Sequence, residues 1–80
     1  MVSEIAGTLS AVTGGGHYGI ARLARPIGNN QAYALINRDT AGRNDLRERL
    51  GGKLQVGVEI VITEYDDSRA SIVAHRIRAK

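Results

Sequence analysis

The stretch Gly14-Gly15-Gly16-His17-Tyr18-Gly19-Ile20-Ala21 is the most informative part of this chain, because a glycine run leads directly into a predicted β-strand. From Tyr18 to Ala24, larger or charged side chains alternate with small or apolar ones, and a period of two residues is that of a strand. Tyr18, Ile20 and Arg22 therefore share one face of the strand. Gly19, Ala21 and Leu23 share the other face.

The rest of the chain predicts four more strands and one short helix. Strict apolar alternation from Leu54 to Ile62 is the strongest strand pattern. Asn44 is a predicted helix N-cap, and Asp66-Asp67-Ser68 predicts a turn. The predicted elements are strand one from Ile5 to Val12, strand two ending near Arg25 before Pro26, strand three from Gln31 to Asn37, a helical segment of one or two turns between Asp39 and Gly52, strand four from Leu54 to Thr63, and strand five from Ala70 to Arg78 in a hairpin with strand four.

Five strands with a short helix or 3-10 turn between the third and fourth predict an all-β, OB-type barrel. Closure into a barrel also removes the exposed strand edges that a small open sheet would have. An SH3-like barrel is the alternative, because it has a similar number of strands. No repeat or linker divides the chain, so we expect residues 1–80 to form a single domain.

Composition favours a small protein of the cytoplasm. The chain has 80 residues and no cysteine, and no apolar stretch approaches the length of a membrane span. Eleven basic residues against eight acidic ones give a net charge of +3, and nine of the eleven are arginine. Arginine combines a permanent charge with a planar group that binds phosphate and stacks on bases, so the composition mildly favours a nucleic-acid partner.

Four short motifs resemble those of cold-shock domains. Gly16-His17-Tyr18-Gly19-Ile20-Ala21 resembles the first nucleic-acid-binding motif of that family, and Ala32-Tyr33-Ala34-Leu35 is similar to the second. Leu54 to Ile62 is similar to the family's Leu-x-x-Gly-x-x-Val-x-Phe pattern, and Ala70 to Val73 resembles its Ala-x-x-Val ending. The resemblance covers nearly the whole chain.

This resemblance implies an OB-type domain that binds single-stranded RNA or DNA with little sequence preference, as a chaperone or a regulator. Single strands bind such domains through aromatic rings over a basic groove, and each ring contributes roughly 1–3 kcal/mol. Tyr18 and Tyr33 match ring positions of the family, whereas Ile20 and Leu35 stand where it has a ring and a histidine. Arginines are then expected to compensate. The expected nucleic-acid-binding residues are Tyr18, Ile20, Arg22, Tyr33, Leu35, Arg38, Arg76 and Arg78.

A protein-interaction module is the alternative function for the same strands. If Tyr18, Ile20, Tyr33 and Leu35 all point outward, they form an apolar patch with few rings, and such patches often mark protein interfaces. The domain would then be an adaptor or a homodimer.

Catalysis has little support in the sequence. His17 and His75 are the only histidines, and no cysteine accompanies them. Asp66 and Asp67 are explained by turn formation, and the glycine run lacks the Lys-Ser/Thr that would follow in a P-loop. We therefore expect no enzyme activity, no metal and no cofactor.

Overall fold

The computed structural model describes residues 4–27, 31–66 and 72–80, and its strands close into one barrel. In chain order the elements are β1 (Ile5–Thr13), a 3-10 turn (Gly14–Gly16), β2 (Tyr18–Ile27), β3 (Gln31–Ile36), α1 (Arg43–Arg49), β4 (Glu59–Asp66) and β5 (Ile72–Ala79). The order around the barrel is β1-β2-β3-β5-β4, and α1 connects β3 to β4. The predicted OB-type barrel is confirmed, and the SH3-like alternative is set aside.

The barrel closes because β1 pairs with two neighbours. Its first half pairs antiparallel with β4, and its second half pairs antiparallel with β2. An irregularity between Leu9 and Ala11 lies where β1 passes from one partner to the other, and such bulges bend a strand. On the other side of the barrel, β3 and β5 are parallel, and in the described residues Ala34 pairs with Ile72 and Leu35 with Val73.

The core of the barrel is aliphatic. Leu46 of α1 is buried among the inward side chains of the strands and so joins the helix to the barrel. Each buried side chain of this size stabilises the fold by about 1.5–3 kcal/mol relative to an exposed one. The buried cluster consists of Ile5, Leu9, Ala21, Leu23, Ala34, Ile36, Leu46, Leu54, Ile60, Ile62, Ile72, Ala74 and Ile77.

The predicted start of strand four at Leu54 is wrong, since β4 begins at Glu59. Gly57 has a φ of +92°, which takes the chain out of the extended conformation just before the strand. Val56, expected on the inward face, is 64% exposed as a result. The strict alternation also fails inside β4, because Val61 is buried together with both of its neighbours.

Smaller differences occur at the ends of other elements. β2 does not end near Arg25 but continues past Pro26 to Ile27. Its register with β3 shifts between Arg22 and Ile27, so the proline, which has no N–H, need not donate a regular hydrogen bond to β3. Gly42, not Asn44, caps α1, with a φ of +82° and no side-chain bond. The predicted hairpin of β4 and β5 is confirmed by their antiparallel pairing. Asp66 ends β4, and the rest of the predicted turn and the start at Ala70 lie outside the described residues.

Candidate nucleic-acid interface

Alternation along β2 separates a buried face from an outward face. Gly19, Ala21 and Leu23 are buried, and the residues between them point outward. A Cβ on Gly19 would lie 2.7 Å from the carbonyl oxygen of Ala11, so β1 and β2 approach each other there more closely than a side chain allows. Gly19 therefore lets β2 lie close to β1 in the wall of the barrel. Tyr18 and the other outward residues of β2 face away from the core.

The register of β2 with β3 brings four of the predicted residues together. Ile20 lies opposite Leu35, and Arg22 lies opposite Tyr33. Side chains at directly opposed positions of antiparallel strands have Cβ atoms about 4.5–5.5 Å apart, so each pair is in reach of contact. With Tyr18 at the start of β2, these side chains form one continuous surface, here named the outer face.

An apolar row crosses the outer face from strand to strand. Ala11 of β1 lies opposite Ile20, which lies opposite Leu35, which lies opposite Val73 of β5. Leu35 is 39% exposed, and the other three are partly buried. Val73 was not predicted as part of the site, because its position beside β3 depends on a parallel pairing that local patterns do not report.

The two tyrosines of the outer face have different surroundings. Tyr33 is 52% exposed. The ring of Tyr18 is partly buried and lies so close to Gly14 that a Cβ on this glycine would be 2.6 Å from a ring carbon. The Arg43 guanidinium lies 5.5 Å from the centre of the Tyr18 ring, and its Nη1 donates to the carbonyl oxygen of His17 at 2.7 Å. A base that stacks on Tyr18 therefore competes with Arg43, whereas the Tyr33 ring is open.

The four predicted arginines divide into two groups. Arg22 on β2 and Arg38 in the turn after β3 are exposed, and neither forms an ion pair within the described part of the chain. The structure does not bring Arg76 and Arg78 to the outer face. Arg76 Nε donates to Glu64 at 2.9 Å on β4, and Arg78 Nη2 donates to Glu4 at 3.1 Å. A phosphate at either of these two arginines would compete with a carboxylate.

Acidic and basic residues are unevenly distributed along the chain, and the net charge alone does not show this. No acidic residue occurs from Ile5 to Arg38, a range that includes β1, β2 and β3. Its three basic residues, Arg22, Arg25 and Arg38, equal the entire net charge of +3, because the eight other basic residues are balanced by the eight acidic ones. A count by segment would have revealed this pattern and would have added Arg25, which is exposed on β2, to the predicted set.

The histidines are not assembled into a metal or catalytic centre in the described residues. His17 is exposed in the turn before β2, and His75 is exposed on β5. No group of three His, Asp or Glu side chains there could hold a metal ion. Nor is any described helix long and apolar enough to span a membrane.

Comparisons with protein families, curated proteins and solved structures found no match for this chain. The geometry and charge of the outer face are therefore the evidence for function.

Proposed function

We propose that this OB-type domain binds single-stranded RNA or DNA through the outer face, without catalysis, as a cold-shock-like chaperone or regulator in the cytoplasm. The observation that carries the proposal is the cross-strand pair of Arg22 and Tyr33. The pair consists of an exposed tyrosine directly opposite an exposed arginine that forms no ion pair in the described residues. Such a pair can stack one base and neutralise one phosphate of the same strand.

Single strands fit this face better than duplexes do. A ring can stack only on a base that is not already paired and stacked in a helix. Ile20 and Leu35 add apolar contact for a neighbouring base or sugar, although neither supplies a ring. With Tyr33 open and Tyr18 shared with Arg43, we expect weaker binding than on a face with several open rings, each of which contributes roughly 1–3 kcal/mol.

The apolar row supports a second candidate function, a protein interface used by an adaptor or a homodimer. Ile20, Leu35 and Val73 lie side by side across three strands, and a continuous apolar patch on an outward sheet face often marks a binding surface. Nucleic acid remains the first candidate because Arg22 borders this row and no acidic residue occurs on β2 or β3.

A salt-dependent titration with a labelled oligothymidylate tests the proposal. Affinity should fall as salt rises, with a log-log slope of about −0.7 for each neutralised phosphate of a single strand. Replacing Arg22 by alanine should weaken binding and make the slope shallower by about the same amount. Arg49→Ala on α1 is the matched control, because it removes an equal charge outside the outer face.

Two results would contradict the proposal. One is the absence of binding at low salt, and the other is equal loss of affinity in Arg22→Ala and Arg49→Ala. Sedimentation of wild type and Leu35→Glu tests the second candidate function, because a charge buried in an apolar interface without a partner should abolish association. Self-association that Leu35→Glu abolishes, without nucleic-acid binding, would favour the protein interface.

A further inference from the structure

A small cleft opens where the outer face meets β5. β3 and β5 pair at Leu35 and Val73, and the next backbone pairing between the two chain segments is a bridge of Ala41 with Arg76. Between these two pairings the chain makes a turn at residues 38 and 39. The cleft has a volume of about 200 Å³ and is lined by Asn37, Asp39, Asp66, Val73 and His75. Because Val73 belongs to both, the cleft continues the apolar row of the outer face.

The turn that carries Asp39 is held firmly against β5. Asn37 Oδ1 accepts from the backbone N–H of Asp39 at 2.9 Å. Thr40 Oγ1 accepts from the backbone N–H of Asn37 at 3.0 Å and donates to the carbonyl oxygen of Ala74 at 2.7 Å. Thr40 is only 4% exposed, and its bond to Ala74 is buried. The position of Asp39 relative to β5 is therefore set before any ligand binds.

The chemistry of the cleft differs from that of the outer face. Asp39 is exposed, and its carboxylate has no partner in the part of the chain that the structure describes. A carboxylate repels phosphate and accepts hydrogen bonds, so its partner on a nucleic acid is an N–H group of a base. His75 is exposed on the β5 side of the cleft, and its ring N–H can donate to a carbonyl oxygen.

Guanine is the base whose edge matches these groups. Its N1–H and N2–H₂ are adjacent donors that can bind both oxygens of one carboxylate, and its O6 accepts a bond from an imidazole. Adenine and cytosine place an acceptor beside their amino group, and thymine and uracil place their single N–H between two carbonyl oxygens. Any of these acceptors would face a carboxylate oxygen without a proton between them.

We propose that this cleft binds one guanine base of the single strand that occupies the outer face, with Asp39 and His75 as the reading residues. The proposal rests on the proposed function and gives it a sequence preference, in contrast to the low preference expected from the sequence. The volume is below the roughly 300 Å³ at which pockets for larger ligands begin, which suits one base whose sugar and phosphate remain outside.

The test uses oligothymidylates that carry one central guanine, inosine, adenine or cytosine, titrated against the full chain by fluorescence anisotropy. The guanine oligomer should bind about tenfold more tightly than oligothymidylate, since a matched pair of hydrogen bonds discriminates by about that factor or more. Inosine keeps N1–H and O6 but lacks the amino group, so its affinity should be intermediate.

Two variants test whether the cleft is responsible for the guanine preference. Asp39→Asn should lose the guanine preference while binding plain oligothymidylate as well as wild type or better, because it removes a negative charge. His75→Ala should reduce the preference independently. Glu48→Gln on α1 is the control for charge and should keep the full preference, since Glu48 is exposed outside the cleft.

The possible outcomes distinguish failure of the guanine site from failure of the proposed function. Equal affinity of wild type for all oligomers would overturn the guanine site and leave the proposed function standing. Absence of binding to every oligomer at low salt would overturn both. A guanine preference that persists in both folded cleft variants would show that other residues read the base, and thermal unfolding confirms that the variants are folded.

Discussion

Gly42, the N-cap of α1, lies against β5 so closely that no side chain fits there. Its φ is +82°, and a Cβ built there would overlap the carbonyl oxygen of Ile77 on β5. The preceding residue, Ala41, donates its N–H to His75 at 2.8 Å and accepts from the N–H of Ile77 at 2.9 Å. We therefore expect Gly42→Ala to push this segment away from β5 and to disturb both hydrogen bonds.

The expected loss is large for a chain of this size. Alanine in the left-handed region costs about 1–2 kcal/mol. Two disturbed backbone hydrogen bonds add roughly 0.5–1.5 kcal/mol each, and more where a group stays buried without a partner. The total is roughly 2–5 kcal/mol, against a free energy of unfolding on the order of 4–12 kcal/mol for a chain of this length. Gly42→Ala should therefore remove a large part of the stability.

Urea unfolding followed by circular dichroism measures this loss, and Gly51→Ala is the matched control. Gly51 has nearly the same φ, +81°, but no atom lies within 4 Å of a Cβ built there. Its substitution should cost only the backbone term of about 1–2 kcal/mol. If the two variants lose the same free energy of unfolding, β5 yields to the added methyl group, and the reasoning from close contact is refuted.

Three further predictions concern the outer face and the turn beside it. Tyr33→Ala should weaken oligonucleotide binding by roughly 1–3 kcal/mol, as measured by anisotropy, and Tyr18→Ala should weaken it less because Arg43 already lies over that ring. Equal losses would contradict the difference between the two rings. Ile20→Phe should strengthen binding by adding a ring beside the open one, and unchanged affinity of a folded variant would count against stacking on this face. Thr40→Val should lower the free energy of unfolding by roughly 2–4 kcal/mol, because it deletes a buried hydroxyl that donates one hydrogen bond and accepts another. Thr40→Ser keeps the hydroxyl and should lose much less in the same urea titration.

Local pattern was sufficient to predict five strands and to sort the side chains of β2 into two faces. A side-chain period of two depends only on the backbone geometry of the strand itself, so the common face of Tyr18, Ile20 and Arg22 could be assigned without knowledge of any neighbour. The strand predicted from alternation was wrong before Glu59, where β4 begins. There the apolar alternation continued through Gly57, whose positive φ breaks the strand and leaves Val56 exposed.

Contacts between residues far apart in the sequence could be identified only in the folded barrel. The bond between Arg78 and Glu4 joins residues 74 positions apart, so neither composition nor spacing could show that this arginine has a carboxylate partner. The parallel pairing of β3 with β5 likewise brings Asp39 and His75 to one cleft. Short-range periodicity reports which way a side chain points, but the side chain that it meets depends on strand pairing, which is set by closure of the whole barrel.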